Sequence, residues 1–204
     1  YASHMKAAAA WRDGFYADLV TPFAGLSVDN NVRPDTDLEK LAKLMPVFDR
    51  SGGGTLTAGN STPLTDGAAC VLLASEDWAR ARGLPVLAYF THYATAAVDF
   101  AGLDGPREGL LMAPTYAVSR LLDRAGLTLQ DFDIYEIHEA FAAQVLCTLK
   151  AWESEEYCRI RLGRDAPLGS IDRARLNPKG GSVALGHPFG ATGARIVATL
   201  AQQL

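Results

Sequence analysis

Cysteine is scarce in this chain. Its 204 residues contain only three cysteines, Cys70, Cys147 and Cys158, and none of them forms a CxxC pair. An odd number without paired spacing argues against a disulfide framework and against a zinc knuckle, and we predict no metal site. Cys70 and Cys147 lie in apolar patterns, so we interpret both as small buried hydrophobic residues rather than as nucleophiles.

Long apolar runs and basic clusters are also absent. A membrane-spanning helix needs about 18 apolar residues, and no apolar run in the sequence is that long. The first residues predict a helix rather than a signal peptide. The formal net charge is −4 with scattered lysines and arginines, which leaves no basic patch for nucleic acid or anionic lipid. A composition of 49% hydrophobic and 21% charged residues predicts a globular protein, which we expect in the cytoplasm.

Glycine is concentrated in one stretch. Residues 177–195, NPKGGSVALGHPFGATGAR, place five glycines around His187, which Pro188 follows. Glycine allows positive φ and close approach of backbone to a ligand, and proline restricts the residue before it. The turn therefore limits where the imidazole points, and His187 is a catalytic candidate. The alternative is a Gly-rich connection whose histidine is only a hydrogen-bonded turn residue.

A second histidine lies at a predicted change of secondary structure. Residues 134–137 predict a short strand, and an apolar stripe from Phe141 to Trp152 predicts a helix, so His138 falls at their junction. Free N–H groups at the positive end of a helix favour negative charge on a bound group. The junction is a candidate oxyanion site. The alternative is a histidine that merely caps the helix.

A polar loop, residues 59–66 (GNSTPLTD), separates two predicted strands at residues 55–58 and 67–74. The second strand is a continuous apolar run, which is typical of a strand buried on both faces. A loop this rich in hydroxyl groups either binds a ligand or caps a helix.

Helix signals recur between the strand signals. Thr36 and Glu39 form a capping box, Ser75 is the N-cap of a second helix, and Pro114 begins a third that ends at Gly126. A further strand is predicted at residues 86–90. Strands that alternate with helices indicate an α/β fold built on a layered sheet.

Taken together, the segments GNSTPLTDGAA, HEAFA and GGSVALGHPFGATGAR resemble the thiolases, which join or split acyl chains on coenzyme A. Many thiolases have Asn-Glu-Ala-Phe at the position of HEAFA. The histidine in this segment makes it similar to the thiolase (beta) subunit of fatty-acid β-oxidation complexes. The resemblance implies part of the layered αβαβα thiolase fold. Residues 1–54 would end the loop domain, residues 55–84 would hold the last strands of the N-terminal half, and residues 85–204 would form most of the C-terminal half.

The resemblance also implies an activity and partners. The complete protein would be an acyltransferase that cleaves 3-ketoacyl-CoA with CoA to acetyl-CoA and a shortened acyl-CoA, or runs the reverse condensation. No bound cofactor is implied, since coenzyme A is a substrate. The implied partners are acyl-CoA and CoA, a homodimer or higher oligomer, and a hydratase/dehydrogenase subunit.

Two residues carry over as catalytic. His187, in Gly-His-Pro, corresponds to the thiolase histidine that takes the proton from a nucleophilic cysteine and lines the first oxyanion hole. His138 corresponds to a position, Asn or His in the family, that acts with a water on the thioester carbonyl oxygen and on the enolate of acetyl-CoA.

Four residues carry over as binding residues. Ala140 and Phe141 would line the acyl or pantetheine pocket. Thr62 matches a hydroxyl position near the pantetheine, and Arg33 matches an arginine near the adenine.

The chain departs from the family pattern in its cysteines. Neither the nucleophile motif of the first half nor the Cys-x-Gly-Gly-like motif near the C-terminus occurs in the sequence. We therefore expect the chain to be a piece of a thiolase and to be inactive alone. The alternative is a non-catalytic thiolase-like module that binds acyl-CoA or docks a subunit.

Overall fold

The computed structural model describes residues 1–103 and 107–204. Within these residues the chain forms eight α-helices and two short 3-10 turns. The helices are α1 (Ala2–Arg12), α2 (Leu38–Ala42), α3 (Glu76–Ala81), α4 (Ala113–Ala125), α5 (Ala142–Glu153), α6 (Glu155–Leu162), α7 (Ser182–Leu185) and α8 (Thr192–Ala201). The 3-10 turns are Leu129–Asp131 and Arg173–Arg175. None of the helices in these residues has the length and apolar character needed to cross a membrane.

The chain divides into two compact units. The first consists of Tyr1–Tyr89, Glu136–Ala142 and Asn177–Leu204, and the second of Phe90–Tyr135 and Ala143–Leu176. Every residue predicted for the functional site lies in the first unit.

The core of the first unit is formed by α1 against α7. Ala7 and Ala10 of α1 are buried with Ala184 and Leu185 of α7. Gly180 has a φ of +88°, and a Cβ on it would lie 2.6 Å from the Cβ of Ala7. The glycine therefore lets α1 approach this turn, so one glycine of the 177–195 stretch serves helix packing rather than a ligand.

Glu139 joins three parts of the first unit. Its carboxylate accepts hydrogen bonds from Ser3 Oγ at 2.7 Å, from Asn177 Nδ2 at 2.8 Å and from the backbone N–H of Val183 at 3.1 Å. These donors belong to α1, to the turn before the glycines and to α7. A charged acceptor holds neutral donors more strongly than a neutral acceptor does, so this carboxylate fixes the HEAFA segment against the Gly-rich segment.

In the second unit, α4 packs against α6. Thr115 Oγ1 and Tyr157 Oη lie 3.0 Å apart between these helices. Arg164 donates to Ser119 Oγ at 3.0 Å and pairs with Asp123 at 2.7 Å. These contacts tie the end of α6 to the middle of α4.

Most of the predicted helix ends are confirmed. Ser75 caps α3 through the N–H of Trp78, and α4 has a proline in its first turn and ends at Gly126 in the left-handed conformation. The capping box predicted for α2 is wrong. The helix begins at Leu38, so Asp37 is its N-cap and its side chain accepts from the N–H of Lys40.

The predicted strands do not form ladders. Pairing in the described residues is limited to isolated bridges, such as Pro46 with Thr57 and Tyr135 with Leu176. The prediction that residues 67–74 form a strand buried on both faces is wrong, because Leu72 is 75% exposed and the segment pairs with no other segment of residues 1–103 and 107–204. A strand is stabilised by backbone hydrogen bonds to a neighbouring strand, and residues 67–74 and 86–90 make none of these with the described residues.

The burial predicted for two cysteines is also wrong. Cys70 and Cys147 are exposed, whereas Cys158 is buried. Cys70 lies in the unpaired segment at residues 67–74, and Cys147 lies on the outward face of α5. An apolar sequence neighbourhood predicts burial only when the segment is covered on that side.

The carboxylate of Glu139 leads to a stability prediction. Glu139→Gln keeps the shape of the side chain but leaves only one acceptor atom for three donors. We expect the free energy of unfolding of the protein to fall by about 2–4 kcal/mol, measured by urea denaturation. Glu156→Gln on the exposed surface of α6 is the matched control, with an expected change of less than about 0.5 kcal/mol. Equal losses in the two variants would contradict the role of Glu139.

Candidate active site

The polar loop at residues 59–66 lies beside the segment that carries His138. The N–H of Thr62 donates to the carbonyl of Ala140 at 2.9 Å, and the N–H of Ala142 donates to the carbonyl of Asn60 at 2.8 Å. Ser61 and Phe141 form an antiparallel bridge between these bonds. The loop therefore fixes the backbone on the C-terminal side of His138.

The same loop also pairs with the segment that carries His187. The N–H of His187 donates to the carbonyl of Pro63 at 3.1 Å, and Leu64 forms a parallel bridge with His187. At the end of this bridge, Gly186 has a φ of +84°, and a Cβ there would lie 2.6 Å from the side chain of Thr65. The segments GNSTPLTDGAA, HEAFA and GGSVALGHPFGATGAR thus meet in one place.

The two histidine rings lie next to each other. Their centroids are 4.2 Å apart and the rings are tilted by 43°. Each ring uses Nδ1 toward a hydroxyl group, since His138 Nδ1 is 2.7 Å from Ser182 Oγ and His187 Nδ1 is 2.7 Å from Thr192 Oγ1. The bond of His138 goes to a side chain rather than to a free N–H of α5, so this geometry differs from that of a helix cap.

Burial and nearby positive charge act on His138. Burial lowers the pKa of His138 to about 4, and the charges of His187 and Arg195 add to this shift. The imidazole is therefore neutral at physiological pH. A neutral imidazole has one N–H donor and one acceptor nitrogen, so it can donate a hydrogen bond without carrying charge.

Three residues of this site were not predicted from the sequence. Ser182 and Thr192 hold the two imidazoles, and Arg195 donates to Ser182 Oγ from Nη2 at 2.9 Å. All three lie in the 177–195 stretch. The available signal in the sequence was the presence of two hydroxyl side chains and an arginine close to the candidate His187. Their contacts depend on the geometry of the turn, which the sequence does not give.

The predicted binding residues have mixed surroundings. The hydroxyl of Thr62 donates to the carbonyl of Ser182 at 2.7 Å, so only its lone pairs remain for a ligand. The ring of Phe141 meets that of Phe48 edge to face at 5.7 Å. Arg33 is exposed, and its guanidinium donates to the carbonyl of Asn30 at 2.8 Å.

A shallow depression of about 310 Å³ opens beside His187. It is lined by residues 64–67 and 187–189. Thr65 Oγ1 is buried there and has no hydrogen-bond partner in the part of the chain that the structure describes. Phe189 contacts the His187 ring at 4.8 Å and is otherwise largely exposed. Within the described residues, no group of three or more His, Cys, Asp or Glu side chains could hold a metal ion.

Comparison with known families gives two matches along the chain. The family model described as "Thiolase, C-terminal domain" matches residues 84–204, and that described as "Thiolase, N-terminal domain" matches residues 1–77. Among curated proteins, a 3-ketoacyl-CoA thiolase of Pectobacterium carotovorum is 48% identical over 99% of this chain. The aligned part is 46% of that relative, so the chain spans about half the length of the curated relatives it matches.

Solved structures give a similar result. Human mitochondrial 3-ketoacyl-CoA thiolase in complex with CoA matches with a TM-score of 0.77 and 31% identity, over 99% of this chain and 45% of that one. The dimeric peroxisomal thiolase of Saccharomyces cerevisiae matches with a TM-score of 0.77 and 38% identity, over 99% of this chain and 46% of that one. These backbone matches confirm the fold class predicted from the sequence.

The lowered pKa of His138 is directly measurable. We expect the His138 ring to titrate with a midpoint near pH 4 in two-bond ¹H–¹⁵N spectra, with its signals assigned by their loss in His138→Asn. An unfolded histidine takes up its proton near pH 6.5, before the folded one does. The unfolded state therefore binds more protons between about pH 6.5 and 4, and this residue lowers stability as the pH falls through that window. A midpoint at or above 6.5 would contradict this description of the site.

Proposed function

This chain belongs to the thiolase family, and we propose that the protein containing it catalyses thiolytic cleavage of 3-ketoacyl-CoA by CoA. The products are acetyl-CoA and a shortened acyl-CoA, and the same site also catalyses the reverse condensation. Coenzyme A serves as a substrate, and no bound cofactor takes part.

The observation that carries this proposal is the contact between the rings of His138 and His187, whose centroids are 4.2 Å apart. Thioester chemistry needs a base for a thiol and a donor for a carbonyl oxygen at almost the same place. Two neighbouring imidazoles in different surroundings supply both. The polar loop at residues 59–66 holds each of them through backbone hydrogen bonds.

In this proposal His187 is the base. Thr192 Oγ1 lies 2.7 Å from His187 Nδ1 and also donates to the carbonyl of Pro188 at 3.4 Å. A hydroxyl has one proton, so a Thr192 that donates to Pro188 accepts from Nδ1–H of the ring. Nε2 is then unprotonated and can take the proton of a thiol.

His138 is the oxyanion donor. Burial holds its ring neutral, so its remaining N–H group can donate a hydrogen bond to the oxygen while the ring itself stays uncharged. Charge develops on the thioester oxygen only as the enolate or the tetrahedral intermediate forms. Removal of one such donor typically costs about 3 kcal/mol in the transition state.

CoA and the acyl chain bind to the same unit. The human mitochondrial relative was solved in complex with CoA. We assign the pantetheine and acyl surface to Ala140 and Phe141, and an acceptor contact to the oxygen of Thr62, whose proton is held by the carbonyl of Ser182. The exposed guanidinium of Arg33 suits the phosphate groups that carry the negative charge at the adenine end of CoA.

The nucleophilic thiol comes from outside these residues. Cys70, Cys147 and Cys158 lie outside the cysteine motifs of thiolases, and Cys158 is buried in the second unit. The chain spans 46% of its Pectobacterium relative, and we propose that the remainder of the protein supplies both catalytic cysteines. We also propose that residues 1–54 end the loop domain, that residues 55–84 belong to the N-terminal half of the thiolase fold, and that residues 85–204 belong to its C-terminal half.

We also propose that the protein forms an oligomer in the cytoplasm. The yeast relative is dimeric, and exposed apolar residues such as Leu72 and Leu73 give this chain surface that an assembly would cover. A hydratase/dehydrogenase subunit is the expected further partner, on the strength of the HEAFA segment alone.

His187→Ala tests the catalytic assignment. In the complete protein we expect kcat for thiolysis of a 3-ketoacyl-CoA to fall by roughly 10²–10⁴-fold, because the thiol loses its base. The circular dichroism spectrum and the melting temperature should change little. His92→Ala, at an exposed position of the second unit, is the matched control and should keep normal activity. Near-normal turnover by folded His187→Ala protein would refute the assignment.

A further inference from the structure

A chain of hydrogen bonds leads from a half-buried cation, the guanidinium of Arg195, to His138. Arg195, on α8, donates from Nη2 to Ser182 Oγ at 2.9 Å. Ser182 Oγ in turn lies 2.7 Å from His138 Nδ1. All three residues belong to the first unit, and Ser182 is fully buried.

The protons in this chain can be placed by counting donors. A guanidinium donates and never accepts, so Ser182 Oγ is the acceptor of its bond with Arg195. The single hydroxyl proton of Ser182 is then available for Nδ1 of His138. A neutral imidazole that accepts at Nδ1 carries its proton on Nε2.

We infer that Ser182 and Arg195 are positioning residues that fix His138 in the Nε2–H tautomer, with Nε2 as the donor to the thioester oxygen. This inference rests on the proposed function for the identity of the oxygen. In the part of the chain that the structure describes, the hydrogen bond of the His138 ring to protein is made by Nδ1, which leaves Nε2 for the substrate.

The opposite tautomer is less favourable. If Nδ1–H donated to Ser182, the serine oxygen would receive two donors, one from His138 and one from Arg195. Its own proton would then need a different acceptor in a buried position, and an unmatched buried polar proton is destabilising.

Charge acts in the same direction. Protonation of His138 would place a second cation next to Arg195 and beside the His187 ring, and the pKa of His138 is lowered by both as well as by burial. Burial lowers the pKa of Arg195 and the carboxyl groups of Glu136 and Glu139 oppose that shift, and a guanidinium keeps its proton in proteins. Arg195 thus disfavours imidazolium while Ser182 selects the tautomer.

The environment of Arg195 supports a functional role. Its Nε and Nη1 atoms are buried without a protein acceptor among the described residues. Buried N–H groups of a guanidinium that lack an acceptor destabilise the fold, and such groups are concentrated at functional sites. Packing alone would be served as well by an uncharged side chain.

The test uses the complete enzyme with ¹⁵N-labelled histidine. Two-bond ¹H–¹⁵N spectra of the unmodified protein should show His138 protonated on Nε2 and not on Nδ1. Ser182→Ala should give a mixture of tautomers and lower kcat by roughly fivefold to tenfold with little change in KM, as expected for loss of one hydrogen bond. Ser182→Thr keeps a hydroxyl and should restore both the tautomer and most of kcat.

A matched control is available in the second unit. Ser119 is also a buried serine that accepts a hydrogen bond from an arginine, Arg164, and among the described residues no histidine bonds to its hydroxyl. Ser119→Ala should lower stability but leave the His138 tautomer and kcat unchanged.

Two results would overturn the inference. One is an unmodified protein with His138 protonated on Nδ1, which needs no variant to fold. The other is a folded Ser182→Ala protein with the same tautomer and the same kcat. The spectra do not depend on turnover. Absence of thiolysis activity in the complete protein would therefore reject the proposed function, and the spectra would still test the tautomer of His138.

Discussion

The site depends on the hydrogen bonds that join the His138 segment to the His187 segment. Asn177, 2% exposed and with a φ of 44°, accepts from the N–H of Ile137 and donates to the Ile137 carbonyl and to Glu139. Its amide pairs with Ile137 as a neighbouring strand would. Glu139 extends the connection to α1 and α7. These bonds add to those that the loop at residues 59–66 makes with both segments, and together they set the distance between the two histidines.

Two identical side chains acquire different properties from their neighbours. His187 bonds to Thr192, whose own proton can go to a backbone carbonyl, and this leaves the ring free to act as a base. His138 bonds to Ser182, whose oxygen already accepts a hydrogen bond from Arg195, and this favours a neutral ring that donates. In the proposed mechanism, the division between base and donor therefore comes from the hydroxyl partners rather than from the histidines themselves.

Sequence reasoning predicted the parts of the structure that depend on local chemistry. Caps such as Ser75 and Gly126, and the three segments that form the site, could be identified because their residues act over a few positions. The strand at residues 67–74 could not, because a strand requires a partner that is distant in sequence. Ser182 and Arg195 are thirteen residues apart and meet only through the turn at residues 186–191, so their contact could not be predicted from spacing.

The central claim is that His138 and His187 together form the thioester site. Titration of the complete, histidine-labelled protein with acetyl-CoA, followed by the imidazole signals, tests this claim most directly. The account predicts saturable shifts of the His138 and His187 rings, with the exposed His92 unchanged. The account would be contradicted if calorimetry showed saturated binding of acetyl-CoA while the imidazole signals of His138 and His187 stayed unchanged.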